Sequence, residues 1–254
     1  MNKHHLISLI KHIFKQGPTC RILLYHRVAD VKNDPHLLSV SVHNFRDQIA
    51  WLQKNYHIVP LSKLVDQIKY HTLNSKSICI TFDDGYADNF YNALPILKQL
   101  KVPVTIFITS GMIGKKTPFY WDINTYMKDR GRALSRLELR KLAKEPLIEI
   151  GSHSITHPSL STLSVIEQKK EITKSKMDLE NIIKKRIISF SYPFGTKKDY
   201  NKETVFFVKK AGYKYACANF PDNILKPSNF YTLPRILVRD LPIENFIKKI
   251  GKLL

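Results

Sequence analysis

Two carboxylates stand side by side in the stretch "SICITFDDGYADNF", residues 77–90: Asp83 and Asp84, at the end of an apolar run and directly before Gly85. Adjacent anions at the end of a buried strand repel each other unless a cation or a proton offsets them. A divalent metal does this by taking one carboxylate as a ligand and leaving the other for proton transfer. Ligands of a matching kind occur in "IEIGSHSITHPSL", where His153 and His157 are four residues apart and follow a glycine. One turn of helix would put both imidazoles on one face. Two histidines and an aspartate leave a tetrahedral metal with an open position, the arrangement of a catalytic zinc site. A third segment, "FSYPFG" at 190–195, runs from a strand into a proline-glycine turn. Backbone N–H groups exposed at such a turn can stabilise an oxyanion. Each piece alone has a plainer explanation. Asp-Gly is a common turn pair, a chain with 10 histidines yields H-x-x-x-H by chance, and "YPFG" is a tight turn.

The elements that must position these groups alternate along the chain. Strand-like runs lie at 21–25, 57–59, 77–82, 104–109, 147–150, 187–192, 213–218 and 233–238. Between them, helical periodicity covers 45–56, 61–70, 89–100 and 166–183, with a further helix beginning near Lys202. Asp88 is placed to cap the helix at 89–100, and Gly212 to end the one from Lys202. Seven or eight β-α units without a sequence repeat predict a parallel α/β architecture, and a doubly wound sheet and a (β/α) barrel both fit that count. His26, Asp83 and Asp84, His153 and the 192–195 turn each follow a different strand. In both architectures that is the face where the chemistry sits. Residues 111–145 form a long connection expected to cap one side of the site.

Bulk properties narrow the classes. The chain has 254 residues, 43% hydrophobic and 24% charged, as in an ordinary folded protein. With no linker or low-complexity segment, the expectation is one domain over 20–254, preceded by an amphipathic helix over 1–19. No run of 18 apolar residues suggests a spanning helix. Cys20, Cys79 and Cys217 are odd in number and widely spaced, so they form neither a disulfide framework nor a zinc knuckle. The net charge of +20 favours anionic partners, yet no zinc-finger, basic-zipper or RNA-binding pattern accompanies it, and no specific nucleic acid is expected. Leu6, Ile7, Ile10, Ile13 and Phe14 recur at helical spacing among lysines, as do Ile243, Phe246, Ile247, Ile250 and Leu254. Either helix fits an anionic membrane surface or the protein's own core. Lys11 and His12 interrupt any signal-peptide pattern. The expected location is therefore cytoplasmic, with peripheral contact at the inner membrane face.

Taken in order, "TFDDG", "HSITH" and "YPFG" resemble the NodB-homology polysaccharide deacetylases, carbohydrate esterase family 4, over about residues 20–240. The resemblance implies an α/β fold, a distorted (β/α) barrel of seven or eight parallel strands, with one divalent metal, usually Zn2+. It implies Asp83 as general base and Asp84, His153 and His157 as metal ligands. Tyr192, Pro193 and Phe194 would form the oxyanion and substrate-binding turn, with the Phe194 N–H as donor. Two departures stand out. Ser191 occupies the place of an arginine that orients the base, and the late strand "TLPRILV" lacks the Leu-x-His of the general acid. "LLYHRV" carries Leu24-Tyr25-His26 at the first strand instead. This resembles the branch in which that motif is moved to the front, as in deacetylases of exported poly-N-acetylglucosamine. His26 is then the expected acid, and Arg235 the candidate for the missing arginine.

The implied activity is hydrolysis of N-acetyl groups on an amino-sugar glycan, either a polymer or a lipid-linked sugar. Phe119, Tyr120 and Trp121 fit a sugar-stacking wall and an ordinary core contribution equally. Three rivals remain. A non-catalytic carbohydrate-binding member of the fold is left room by Ser191. A dehalogenase-type phosphatase would separate its two aspartates by one residue. A nucleic-acid binder rests on charge alone.

Overall fold

The computed structural model describes residues 19–73, 76–221 and 229–251. The helix expected over 1–19 lies outside these residues except for Thr19, which opens a strand. In chain order the regular elements are β1 Thr19–Tyr25, β2 Arg27–Val28, β3 Ser39–Val40, α1 Val42–Asn55, β4 His57–Ile58, α2 Leu61–Lys69 and β5 Lys76–Phe82. A π-helical turn, Asn89–Ala93, leads into α3 Leu94–Gln99, followed by β6 Val104–Ile108, α4 Arg136–Leu142 and β7 Ile148–Ser152. The rest are α5 Val165–Ile183, β8 Ser189–Ser191, α6 Lys202–Lys210, β9 Tyr215–Cys217, β10 Ile236–Leu237 and α7 Ile243–Gly251.

The main sheet is parallel, in the order β10-β1-β5-β6-β7-β8-β9, with β4 also paired to β5. It is curled into a distorted (β/α) barrel. Leu233 bridges to Cys217 of β9, and three residues later Ile236 pairs with Leu23 of β1. This one segment therefore reaches from the last strand back to the first. Strands of such a sheet are covered on both faces, which explains their unbroken apolar runs. In β5 every residue after Lys76 is buried.

Helix ends follow local sequence. Ser135 with Glu138, Ser164 with Glu167 and Asn201 with Thr204 form reciprocal capping boxes at the starts of α4, α5 and α6. Gly212, at φ +80°, follows α6 as expected, and its N–H bonds the Lys209 carbonyl. Asp88 does not cap. Its side chain instead accepts from Arg27 Nε at 3.0 Å and from the Val28 N–H at 3.2 Å, because the chain enters a π-helical turn there and β2 lies alongside. Helix α7 packs on α1, with Phe246 edge-on to Trp51 at 6.0 Å and both Phe246 and Ile250 buried. That face covers the protein's own core; Leu254 lies outside the described residues. Among the described residues no helix is long and apolar enough to cross a membrane.

Register levels the strand ends. Tyr25 is opposite Phe82, so His26 and Asp83, the next residues, leave the sheet together. Ile108 is opposite Ser152, which starts His153 from the same rim.

Candidate active site

Asp83 and Asp84 leave β5 in different directions. The Asp83 N–H still bonds the Tyr25 carbonyl at 3.0 Å, whereas Asp84 adopts φ +73°, a conformation uncommon for a residue with a side chain. The reversal turns the two carboxylates apart, with His153 Nε2 between them, 3.7 Å from Asp83 Oδ2. Asp84 Oδ1 lies 3.5 Å from His153 Nε2 and 3.6 Å from His157 Nε2. One donor atom from each of these three buried residues falls within 4.8 Å of the other two.

His153 and His157 meet without a helix. Ser154 and His157 both have φ +61°, and the loop folds back so that the Ser154 hydroxyl oxygen accepts from the His157 N–H at 3.0 Å. The expected helical turn is thus replaced by a turn with two left-handed residues, and Pro158 follows at once. The rings end 4.8 Å apart. His153 Nδ1 is 2.8 Å from the Ser191 carbonyl, which accepts its proton and leaves Nε2 as the bare nitrogen.

Electrostatics favour a cation at this place. Burial, then the charges of Asp83 and Asp122, push the Asp84 carboxyl well above the usual carboxylate range. Burial lowers His153, and burial followed by His153 lowers His157, so both imidazoles are neutral. Asp84 Oδ1 and His157 Nδ1 are buried without a hydrogen-bond partner. An orphaned carboxylate oxygen facing two neutral imidazoles is the donor set of a divalent metal with an open position, and these residues fit one.

Asp83 is held differently. Arg235, on the segment that closes the barrel, grips it with Nη1 at 2.8 Å and Nη2 at 2.6 Å. Its Nη2 also donates to Ser191 Oγ at 2.8 Å, and that hydroxyl donates to Asp83 Oδ2 at 3.1 Å. Arg235 and Ser191 therefore hold the Asp83 carboxylate together. Burial opposes the charge on Asp83, but the Arg235 guanidinium overcomes it by charge and by hydrogen bond, holding the carboxyl well below its usual range. The two adjacent aspartates are pushed in opposite directions, as separate roles require.

A cavity of about 450 Å³ opens over these groups, lined by His26, Asp83, Asp84, His153, His157 and Phe194 among others. Burial holds His26 down at about 4, the charge of Asp83 acting against it, and its Nδ1 has no partner. Phe194 has φ +57°, lays its ring against His157 at 4.8 Å, and its N–H makes no backbone hydrogen bond among the described residues. Tyr192 and Pro193 do not line the cavity. The Tyr192 ring stacks on Tyr200 at 4.3 Å and its hydroxyl donates to the Tyr231 carbonyl, so its side chain supports the turn from behind.

The aromatic trio of the cap divides. Phe119 is core, whereas Tyr120 and Trp121 line the cavity, with Trp121 4.6 Å from the His157 ring. The Tyr86 hydroxyl accepts from Trp121 Nε1 at 2.7 Å and donates to Asp122 at 2.8 Å. Sequence reasoning missed five cavity residues: His36, Leu38, Thr196, Asn219 and Leu237. Asn219 follows a strand-like run, so the strand-end rule that found His26 and His153 applies to it. His36 and Leu38 sit between β2 and β3, where no periodicity marked them.

The sequence model of the polysaccharide deacetylase family matches residues 70–216, more than half of the chain. The chain belongs to the polysaccharide deacetylase family. Among the family's curated members, a poly-beta-1,6-N-acetyl-D-glucosamine N-deacetylase of Staphylococcus aureus is 29% identical over 237 residues, 90% of this chain and 76% of its own. Two solved structures of deacetylases share the fold. IcaB from Ammonifex degensii superposes with a TM-score of 0.76 at 19% identity, over 94% of this chain and 98% of its own. The Streptococcus pyogenes deacetylase PplD, solved in complex with acetate, superposes with a TM-score of 0.75 at 21% identity, over 91% and 97%.

Proposed function

We propose that this polysaccharide deacetylase is a metal-dependent hydrolase that removes N-acetyl groups from an amino-sugar glycan. One observation carries the reading. Asp84, His153 and His157 converge at the floor of an open cavity, directly beside an aspartate that Arg235 keeps ionised. A divalent ion, with zinc the ion this donor set suits, would supply Lewis acidity for the acetyl carbonyl and the attacking water.

The chain's own residues do the rest. Asp83 takes a proton from the attacking water, and Arg235 and Ser191 fix the direction of its carboxylate. The Phe194 N–H donates to the oxygen that becomes negative as the carbonyl is attacked. His26 gives a proton to the departing amine, since an amine anion is a very poor leaving group. Burial keeps His26 neutral at rest, so it takes up the proton it gives from solvent through the open cavity as negative charge develops nearby. Asp83 returns the water proton to solvent afterwards, which restores both groups. Trp121 and the exposed Tyr120 provide apolar faces for a sugar ring at one side of the cavity. The products are acetate and a glycan carrying a free amine.

The Staphylococcus aureus relative, a poly-beta-1,6-N-acetyl-D-glucosamine N-deacetylase, supports a β-1,6-linked N-acetylglucosamine polymer as the substrate class. The bidentate grip of Arg235 on Asp83 speaks against a silent carbohydrate-binding member, the reading that Ser191 had left room for. Metal content of purified protein, measured beside acetate release from N-acetylglucosamine oligomers and from a lipid-linked N-acetyl sugar, tests the reading. One divalent ion per chain with release from the oligomers supports it, and faster release from the lipid-linked sugar would change the substrate class. Protein that takes up no metal even after reconstitution would overturn it.

A further inference from the structure

The Phe194–Gly195 turn is an unstable conformation for a free peptide. Phe194 at φ +57° and Gly195 at φ +69° are consecutive left-handed residues, and the first carries a bulky side chain. Something must hold the turn, because the use of its N–H depends on direction. The Gly195 N–H bonds the Pro193 carbonyl at 2.6 Å, which sets the peptide plane that also carries the Phe194 N–H. The remaining constraints come from one residue of the neighbouring strand end. The Asn219 N–H donates to the Gly195 carbonyl at 2.8 Å, and Asn219 Nδ2 donates to the Phe194 carbonyl at 3.2 Å. The approach is so close that a Cβ on Gly195 would come within 2.8 Å of the Asn219 nitrogen.

The residues flanking Asn219 are held by Arg235. Arg235 Nε donates to the Ala218 carbonyl at 2.9 Å, and its backbone N–H donates to the Phe220 carbonyl at 3.2 Å. The other end of the same guanidinium grips Asp83. The Ala218 N–H is anchored in turn to the Leu233 carbonyl at 2.8 Å. Ala218, Asn219 and Phe220 therefore touch the base-holding arginine on one side and the turn on the other.

We propose that Asn219 is a positioning residue for the Phe194 N–H, and that residues 218–220 act as a brace fixing that donor relative to Asp83. The inference rests on the deacetylase reading given above. Its mechanistic sense is that proton removal and oxyanion stabilisation act on the same carbonyl within one step, so their separation must be set in advance.

Asn219→Ala removes the side-chain clamp, and Asn219→Asp keeps its shape while turning a donor into an acceptor facing the Phe194 carbonyl. Both variants are expected to lose roughly 10- to 100-fold in kcat on N-acetylglucosamine oligomers, with KM changed less than about twofold. Metal content should match the parent protein. Amide hydrogen exchange at residues 194–196 should accelerate by about tenfold or more, while strand amides stay unchanged. Unchanged kcat in both variants would overturn the proposal. So would a rise in KM at constant kcat, which would make Asn219 a direct substrate contact of the cavity it lines. If the parent protein releases no acetate, the deacetylase reading fails by itself and the exchange measurement still decides the brace: acceleration confined to 194–196 supports it, and unchanged exchange refutes it.

Discussion

Arg235 and Asp83 lie 152 positions apart in the chain and meet through two hydrogen bonds, of 2.8 and 2.6 Å, with essentially no solvent access. The pair joins the strand that closes the barrel to the strand that carries the candidate base.

Removing this partner leaves a buried carboxylate uncompensated. Arg235→Met is expected to destabilise the protein by about 3–5 kcal/mol and to abolish acetate release. Arg235→Lys keeps the charge but cannot form the two-pronged contact, and should still lose roughly a hundredfold in activity. Thermal unfolding and steady-state kinetics on the two variants check this. Arginine-like activity in the lysine variant would show that charge alone is needed.

The two aspartates and the histidine pair should separate cleanly by experiment. Asp83→Asn is expected to keep bound metal and lose at least about a hundredfold in kcat, because the proposed acceptor of the water proton is gone. His157→Ala should weaken metal affinity strongly, since a proposed ligand is lost. Elemental analysis alongside kinetics distinguishes them. Normal turnover by Asp83→Asn would refute its assignment as base.

His26 makes a pH-dependent contribution whose sign follows from its shift. Burial holds it at about 4 in the folded chain, against an ordinary value of 6.5. Between these values the unfolded chain binds a proton that the folded chain excludes, so stability is full above about pH 6.5 and declines as pH falls toward 4. The contribution is at most about 3 kcal/mol. Comparing metal-free parent protein with His26→Gln isolates it, because the other shifted groups remain in both. The difference in unfolding free energy should grow in the variant's favour as pH drops through that window. A constant difference from pH 7 to 4 would contradict the shift.

The three cysteines should be chemically silent. Cys20, Cys79 and Cys217 are buried, and burial raises the thiols of Cys20 and Cys217 to about 12. Native protein is expected to leave all three unlabelled by a thiol reagent over minutes, with three labels appearing after denaturation. Labelling of Cys217 in the native state would mean that the core between β5 and β9 opens.

Much of the site could be read from the sequence because barrel enzymes place chemistry by a local rule. A side chain directly after a buried strand lies on the rim, and that rule located His26, Asp83, Asp84, His153 and Phe194. Apolar runs alternating with helical periodicity located the strands for the same local reason. The rule also covers Asn219, which was missed because an asparagine after a strand reads equally well as a turn residue.

What required the tertiary structure was everything set by pairing across the sheet or by backbone reversal. Asp88 had the sequence of a cap, yet Arg27 of a neighbouring element took its carboxylate. His153 and His157 had helical spacing, but left-handed residues at Ser154 and His157 brought the rings together another way. Tyr192 and Phe194 are two residues apart, and only packing shows that one ring faces away from the cavity and the other toward it. The place of Arg235 depended on barrel closure, which brings a late strand beside the first. Sequence spacing carries information over a few residues, the range of a strand, a cap or a turn. Contacts between residues far apart in the chain follow from the register and curvature of the sheet, which no local pattern encodes.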